Sequence, residues 1–375
     1  MQIDSDFEGG SIEILDASDP SSIELALDHD NAADIRQWFF FRVTKAKGTP
    51  CVMRIVNAGE SLYPGGWEGY RACASYDGEV WRRVPTRYRD GVLTIRHKPR
   101  RDVVTYAYFP YYSSDRREAL ITLARSSRRA SVVELGRSVE GRPMRVIVVG
   151  DQGRPLRRIW VIAHQHPGET MAAWFMEGMV SRLLDEDDRA AAALRRKAVV
   201  YLVPSMNPDG CARGNHRTNA AGRDLNREWL YPSMEASPEV FLVREAMVDG
   251  GVDLFVDVHG EEAIPYVFAF GAEGIPEYSD RLAGLEHLFT STLARIDGDF
   301  QRKRGYDRDA PGQADLRLAS SYVAQRFDCL AQGLEMPFKD NANREDKTTG
   351  WSPDRSRAFG RSVVETLLAC VDSVR

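Results

Sequence analysis

The sequence is poor in cysteine, has no long apolar run and carries no surplus of positive charge, and each shortage excludes a class of protein. Its five cysteines, Cys51, Cys73, Cys211, Cys329 and Cys370, are an odd set with no CxxC and no regular spacing. A disulfide framework and a thiolate metal site are therefore not expected, and reduced, buried thiols are. No stretch approaches the ~18 uninterrupted apolar residues that a membrane-spanning helix needs. The acidic opening MQIDSDFEGGS has no apolar core of a signal peptide. The expectation is a cytoplasmic protein without a membrane partner. Lys and Arg number 50 against 55 Asp and Glu, a net charge of −5. A nucleic-acid partner would call for a basic balance, so none is expected, and clusters such as Arg302 to Arg304 read as solvated faces.

What is present suits an enzyme-sized globular protein: 375 residues, 43% hydrophobic and 28% charged, enough for two domains with a core each. From Trp38 to Tyr112 the chain consists of short β-type runs broken by turn residues, beginning with WFFFRV and CVMRIVN and ending with VVTYAYF. These runs predict an antiparallel β-sandwich over residues 1–113. After Ser113 the pattern changes. SSDRREALITLARSS reads as a capped amphipathic helix, and the apolar runs MRVIVVG, RIWVIA, VVYLVP, DLFVDVH and AQGLEM then alternate with helical segments. Residues 114–375 are thus expected to form an α/β domain. It should have a mixed, largely parallel sheet with helices on both faces and ligand sites beyond the carboxyl ends of its strands.

Immediately after RIWVIA comes HQHPGET, with His166 and Glu169 three residues apart, and His259 closes the run DLFVDVH ninety residues later. Two imidazoles and one carboxylate, a close pair plus a distant third, form a donor set suited to catalytic zinc, which keeps a fourth position open. His164 competes with His166 for that role, although on an extended chain it points to the opposite side. Between these ligands lies the polar run SMNPDGCARGNHRTNAAGRDLNREW. It brings Arg213, Arg217, Arg223 and Arg227 with Asn215, Asn219 and Asn226 to the same strand-end level. Fixed guanidiniums and amides there suit an anionic ligand or a developing negative charge. Glu335, among apolar neighbours in AQGLEMPFKD, is either core-edge scaffolding or a base.

HPGE, NPDG, GNHR with DLNREW, DVHG and a closing strand with Glu335 follow one another in the order seen in zinc metallocarboxypeptidases, and GRSVEGRPM also resembles that family. The HPGE and GNHR forms, with WFFFRV and ESLYPGGW upstream, are similar to the cytosolic carboxypeptidase branch. The resemblance implies one zinc ion on His166, Glu169 and His259, Glu335 as general base and Arg217 on the scissile carbonyl. It further implies Asn226 and Arg227 on the terminal carboxylate of peptide or protein tails. The family's substrate-capping tyrosine has no clearly spaced counterpart; Tyr306 is the nearest candidate and Tyr322 a second. The departing side chain is expected to meet the segment from Phe300 to Tyr322, where Lys303, Arg304, Arg308 and Arg317 would favour acidic residues such as glutamate. A zinc amidohydrolase acting on N-acyl amino acids or peptidoglycan stem peptides, and a non-catalytic carboxylate-binding module, remain as alternatives.

Overall fold

The computed structural model describes residues 1–150 and 156–374. The chain first runs through β1 (Gln2–Asp4), β2 (Glu13–Asp16), β3 (Ile23–Ala26), β4 (Phe40–Thr44) and β5 (Cys51–Ile55). It continues through β6 (Cys73–Ser75), β7 (Trp81–Arg83), β8 (Thr86–Arg89), β9 (Val92–His97) and β10 (Val104–Ala107). They form two five-stranded sheets, ordered β1-β4-β10-β6-β7 and β2-β3-β5-β9-β8. The β3–β5 pair is parallel and the other pairs are antiparallel. Strand alternation sets what faces inward: in β5, Cys51, Met53 and Ile55 are buried while Val52 and Arg54 are half-buried. The aromatic run is core, with Phe39 packed against Trp67, Tyr70 and Tyr108.

Ser113 caps α1 (Ser114–Ser126), its hydroxyl accepting from the Arg116 amide. There follow β11 (Ala130–Arg137), β12 (Pro143–Val149), β13 (Arg157–Ala163), α2 (Thr170–Leu184), α3 (Arg189–Lys197), β14 (Ala198–Val203) and α4 (Pro208–Arg213). Then come α5 (Pro238–Gly250), β15 (Leu254–Glu261), β16 (Phe268–Phe270), α6 (Asp280–Ile296), α7 (Ala319–Phe327), β17 (Leu330–Pro337) and α8 (Pro353–Cys370). The strands form one sheet, β11-β12-β14-β13-β15-β17-β16. Its inner four strands run parallel and the edges are antiparallel. β13, β15 and β17 are covered on both faces, which explains their near-continuous apolar sequences. The two faces are separated by the pleat: Phe255 meets Trp229, itself against Tyr322 of α7, whereas a side chain on Gly260 would strike Met171 of α2. α2 and α8 cross tightly because both carry glycine at the contact. A Cβ on Gly178 or Gly360 would come within 2.1 Å of the other helix's backbone.

The amino-terminal layer is fastened to the larger one by a buried guanidinium. Arg83 donates to the carbonyls of Arg71, Phe338, Lys339, Thr349 and Trp351, so one side chain satisfies acceptors from both parts. Beside it Tyr108 stacks on Phe338 at 4.4 Å. All five cysteines are buried and unpaired. Among the described residues no helix is long and apolar enough to cross a membrane.

Candidate metal centre and catalytic cleft

The parallel strands deliver their carboxyl ends to one place. The chain leaving β13 carries His166, then turns at Pro167 and Gly168 so that Glu169 immediately precedes α2 at its N-cap, while His259 stands near the end of β15. All three are buried, and one ligand atom from each lies within 4.8 Å of the others. His166 Nδ1 is 2.6 Å from Glu169 Oε1 and His259 Nδ1 is 2.9 Å from Glu169 Oε2, which also accepts the Gly260 amide at 3.0 Å. The outer nitrogens are taken: His166 Nε2 faces Asp224 at 3.0 Å and His259 Nε2 faces Asp257 at 2.7 Å. With each Nε2 held by a carboxylate, each Nδ1 is turned to the Glu169 side, where loss of its proton would free a lone pair for a metal, the arrangement of carboxylate-oriented zinc imidazoles. The donor set therefore fits a zinc ion.

Burial disfavours a charged His259, yet Asp257 and Glu169 outweigh it and hold the imidazolium well above the usual histidine range. Glu169, whose burial would raise its carboxyl, is instead held far below the carboxylate range by His166 and His259. The second layer is equally tied. Asp257 accepts from the Gln165 amide at 2.7 Å, and Gln165 in turn accepts from the Trp229 indole. His164 turns away, at a left-handed φ of 64°, and hydrogen-bonds the Pro167 carbonyl. Burial pushes its pKa down to about 4, and the ring supports the turn rather than joining the donor set.

Of the polar run, Arg217, Asn226 and Arg227 line a cleft of about 920 Å³ together with the three donors. Arg213 pairs with Glu140, Arg223 with Glu228, Asn215 with Asn31 and Asn219 with Glu239, so these four serve the surrounding scaffold. Arg217 Nε donates to Asp224 Oδ2 at 2.9 Å. Its own segment is gripped from the amino-terminal part, where the Asp30 carboxylate accepts the amides of His216, Arg217 and Thr218 at 2.5 to 2.8 Å. Asn226 Oδ1 accepts the Ala319 amide at the start of α7. The Arg227 guanidinium bonds the Asn226 carbonyl, lies 4.0 Å from the Asp224 carboxylate and is 40% exposed.

Glu335 on β17 is the register partner of His259 on β15, and it lines the same cleft. Burial pushes its carboxyl well above the usual range; His259 opposes this, and Glu169, Glu261 and Glu262 add repulsion. Oε1 accepts from the Tyr306 hydroxyl at 3.1 Å, whereas Oε2 has no hydrogen-bond partner among the described residues. Tyr306 lines the cleft; Tyr322 instead packs on Trp229 and Arg244. Lys303, Arg304 and Arg308 also line it and Arg317, paired with Asp315, does not.

Sequence reasoning missed Asp224, Asp257, Asp30 and Tyr63. Asp257 had a signal, since a strand period of two puts it on the same face as His259. His259→Ala should reduce tightly bound metal well below one per chain after dialysis and should also lower the melting temperature, because the buried Asp257 and Glu169 carboxylates lose this partner. Full occupancy in that variant, read by elemental analysis, would remove His259 from the donor set.

Two family models cover most of the chain: a cytosolic carboxypeptidase N-terminal domain matches residues 3–109 and a zinc carboxypeptidase domain residues 117–346. A Zymomonas mobilis protein, the uncharacterized ZMO1242, is 45% identical over 374 residues, covering 100% of this chain and 97% of that one. Cytosolic carboxypeptidase 6 of Caenorhabditis elegans is 26% identical over 366 residues, covering 90% and 79%. A metallo-carboxypeptidase from Pseudomonas aeruginosa, solved in complex with (2-guanidinoethylmercapto)succinic acid, superposes with a TM-score of 0.97 at 48% identity over 100% of both chains. A domain match across more than half its length, on a fold whose strand ends gather these donors, makes this chain a member of the zinc carboxypeptidase family and an exopeptidase of peptide carboxyl termini.

Proposed function

We propose that the enzyme removes single residues, preferentially acidic ones, from the carboxyl ends of peptide or protein tails in the cytoplasm. His166, Glu169 and His259 would hold zinc, with Glu335 as general base, Arg217 on the scissile carbonyl, and Asn226 and Arg227 on the terminal carboxylate. The division of labour runs between residues 1–113 as supporting β domain and 114–375 as catalytic domain. The buried free thiols are consistent with a reducing compartment.

The observation that carries the reading is Glu335 beside His259 in adjacent strands, with one carboxylate oxygen unpartnered among the described residues, in a cleft that Arg217 and Arg227 also line. A zinc ion held by His166, Glu169 and His259 would supply Lewis acidity and lower the pKa of a water towards ~7. Glu335 Oε2 is the oxygen with room for a proton, taken from the attacking water and returned to the leaving amine. Arg217 faces the developing negative charge as a fixed donor, since Asp224 holds its guanidinium and Asp30 its backbone. Arg227 offers a planar fork for a carboxylate one residue beyond the scissile bond, which confines cleavage to the last residue. The compound bound by the Pseudomonas relative joins a succinic acid dicarboxylate, in keeping with such a clamp, to a guanidino arm, which lends no support to an acidic preference.

Acidic preference rests on two cations of the cleft wall. Lys303 and Arg304 make no ion pair among the described residues, Arg304 lying only against the Tyr266 ring, whereas Arg308 is matched by Glu273.

Glu335→Gln should keep its zinc and its fold while kcat falls by at least ~10²–10⁴, the usual worth of a general base; a near-parental kcat would take Glu335 out of the reaction. For specificity, peptides ending in Glu and in Gln differ only by the charge. The Glu peptide should be cut at least about tenfold more efficiently, a gap that Arg304→Gln and Lys303→Gln together should narrow. Equal kcat/KM for the two peptides would refute the acidic preference.

A further inference from the structure

One wall of the cleft comes from the amino-terminal part of the chain. Tyr63, in the turn between β5 and β6, lines the cavity together with His166, Glu169 and Arg217. The turn is rigidly placed. The Tyr63 amide donates to Gln37 Oε1 at 2.9 Å, its carbonyl accepts the Gly66 amide at 2.9 Å, and Gln37, fully buried, bonds the Tyr108 hydroxyl. Gly66 lies so close to Glu262 that an added Cβ would sit 3.0 Å from its side chain. The Tyr63 ring is set edge-on to His216 at 6.3 Å, and the Arg217 guanidinium carbon is 5.9 Å from its centroid.

The phenol itself is unemployed. It makes no hydrogen bond among the described residues, although it is half-buried and faces the charged groups of Arg217, Glu262, Glu169 and Asp224. Burial raises its pKa above the ordinary tyrosine value, so the hydroxyl remains a proton donor across the working range. A tyrosine hydroxyl that reaches into a polar cleft normally has a partner when the cleft is filled. Its side of the cleft is the Arg217 side, whereas Asn226 is anchored towards α7 and Arg227 beside it. A peptide with its terminal carboxylate on Arg227 and its scissile carbonyl near Arg217 therefore runs its remaining backbone past Tyr63.

We propose that Tyr63 binds substrate: its hydroxyl donates to a backbone carbonyl of the peptide on the acyl side of the scissile bond, so that the amino-terminal β layer forms part of the peptide site. The assignment rests on the residue roles proposed above. It identifies a partner for the phenol in the portion of substrate that stays behind, which neither the zinc donors nor the carboxylate clamp touch.

Tyr63→Phe removes the hydroxyl and keeps the ring against Arg217 and His216. With the zinc-loaded full chain, kcat/KM for a blocked tetrapeptide with a free carboxyl end should fall about tenfold, the worth of one hydrogen bond to an uncharged carbonyl. Inhibition by the free terminal amino acid, which occupies the carboxylate clamp and nothing on the acyl side, should stay within about twofold, since it does not meet this hydrogen bond. A kcat/KM within twofold of the parent would overturn the proposal. So would a parallel weakening of amino acid inhibition or a lowered melting temperature, either of which would make Tyr63 a structural residue. Failure of the residue roles themselves would show separately, as a parent enzyme whose tetrapeptide cleavage does not respond to Arg227→Ala.

Discussion

Everything in the catalytic half is organised around one buried carboxylate. Glu169 has both oxygens committed, one to His166 and the other to His259 and the Gly260 amide. Two imidazoles and an anion packed away from water are costly unless each charge is matched. Matching extends outward in two branches, through Asp224 to Arg217 and through Asp257 to Gln165 and Trp229. The result is a preset donor geometry, and a network in which half-satisfied members would be expensive. The strand order makes it attainable, because only adjacent parallel strands put the ends of β13, β15 and β17 side by side.

The amino-terminal sheets bear on the same network from outside. Asp30 receives three successive amides of the segment that carries Arg217, and Arg83 ties β7 to the stretch that follows β17 and Glu335. Arg217 and Glu335 thus lean on the first hundred residues, although neither belongs to them.

Legibility in the sequence followed the range of the interaction. The HPGE pair and the strand-end His259 are local patterns, as are the buried strands β13, β14, β15 and β17, whose apolar runs are nearly unbroken. β11 was not read because it is half-exposed and carries a register shift between Glu134 and Gly136, and β16 has only three residues. The pairing of Glu335 with His259 is a matter of register between distant strands, which no periodicity records. Asp30 and Tyr63 escaped for the same reason, each meeting the GNHR segment across more than 150 residues. In the loop from Phe300 to Tyr322 the composition showed the cations but not their direction. Structure separates Lys303 and Arg304, which line the cleft and make no ion pair among the described residues, from Arg317, engaged by Asp315.

The central claim is that the cleft reads a free carboxyl end and cuts one residue from it. Its most direct measurement compares two peptides of identical sequence, one ending in a free carboxylate and one amidated, with products identified by mass. The account predicts loss of the single last residue from the free peptide. It also predicts at least about a tenfold to hundredfold drop in kcat/KM on amidation, as expected when a charge-assisted hydrogen bond to Arg227 is lost. Equal cleavage of both peptides, or cuts within the chain, would contradict it even with the zinc site intact.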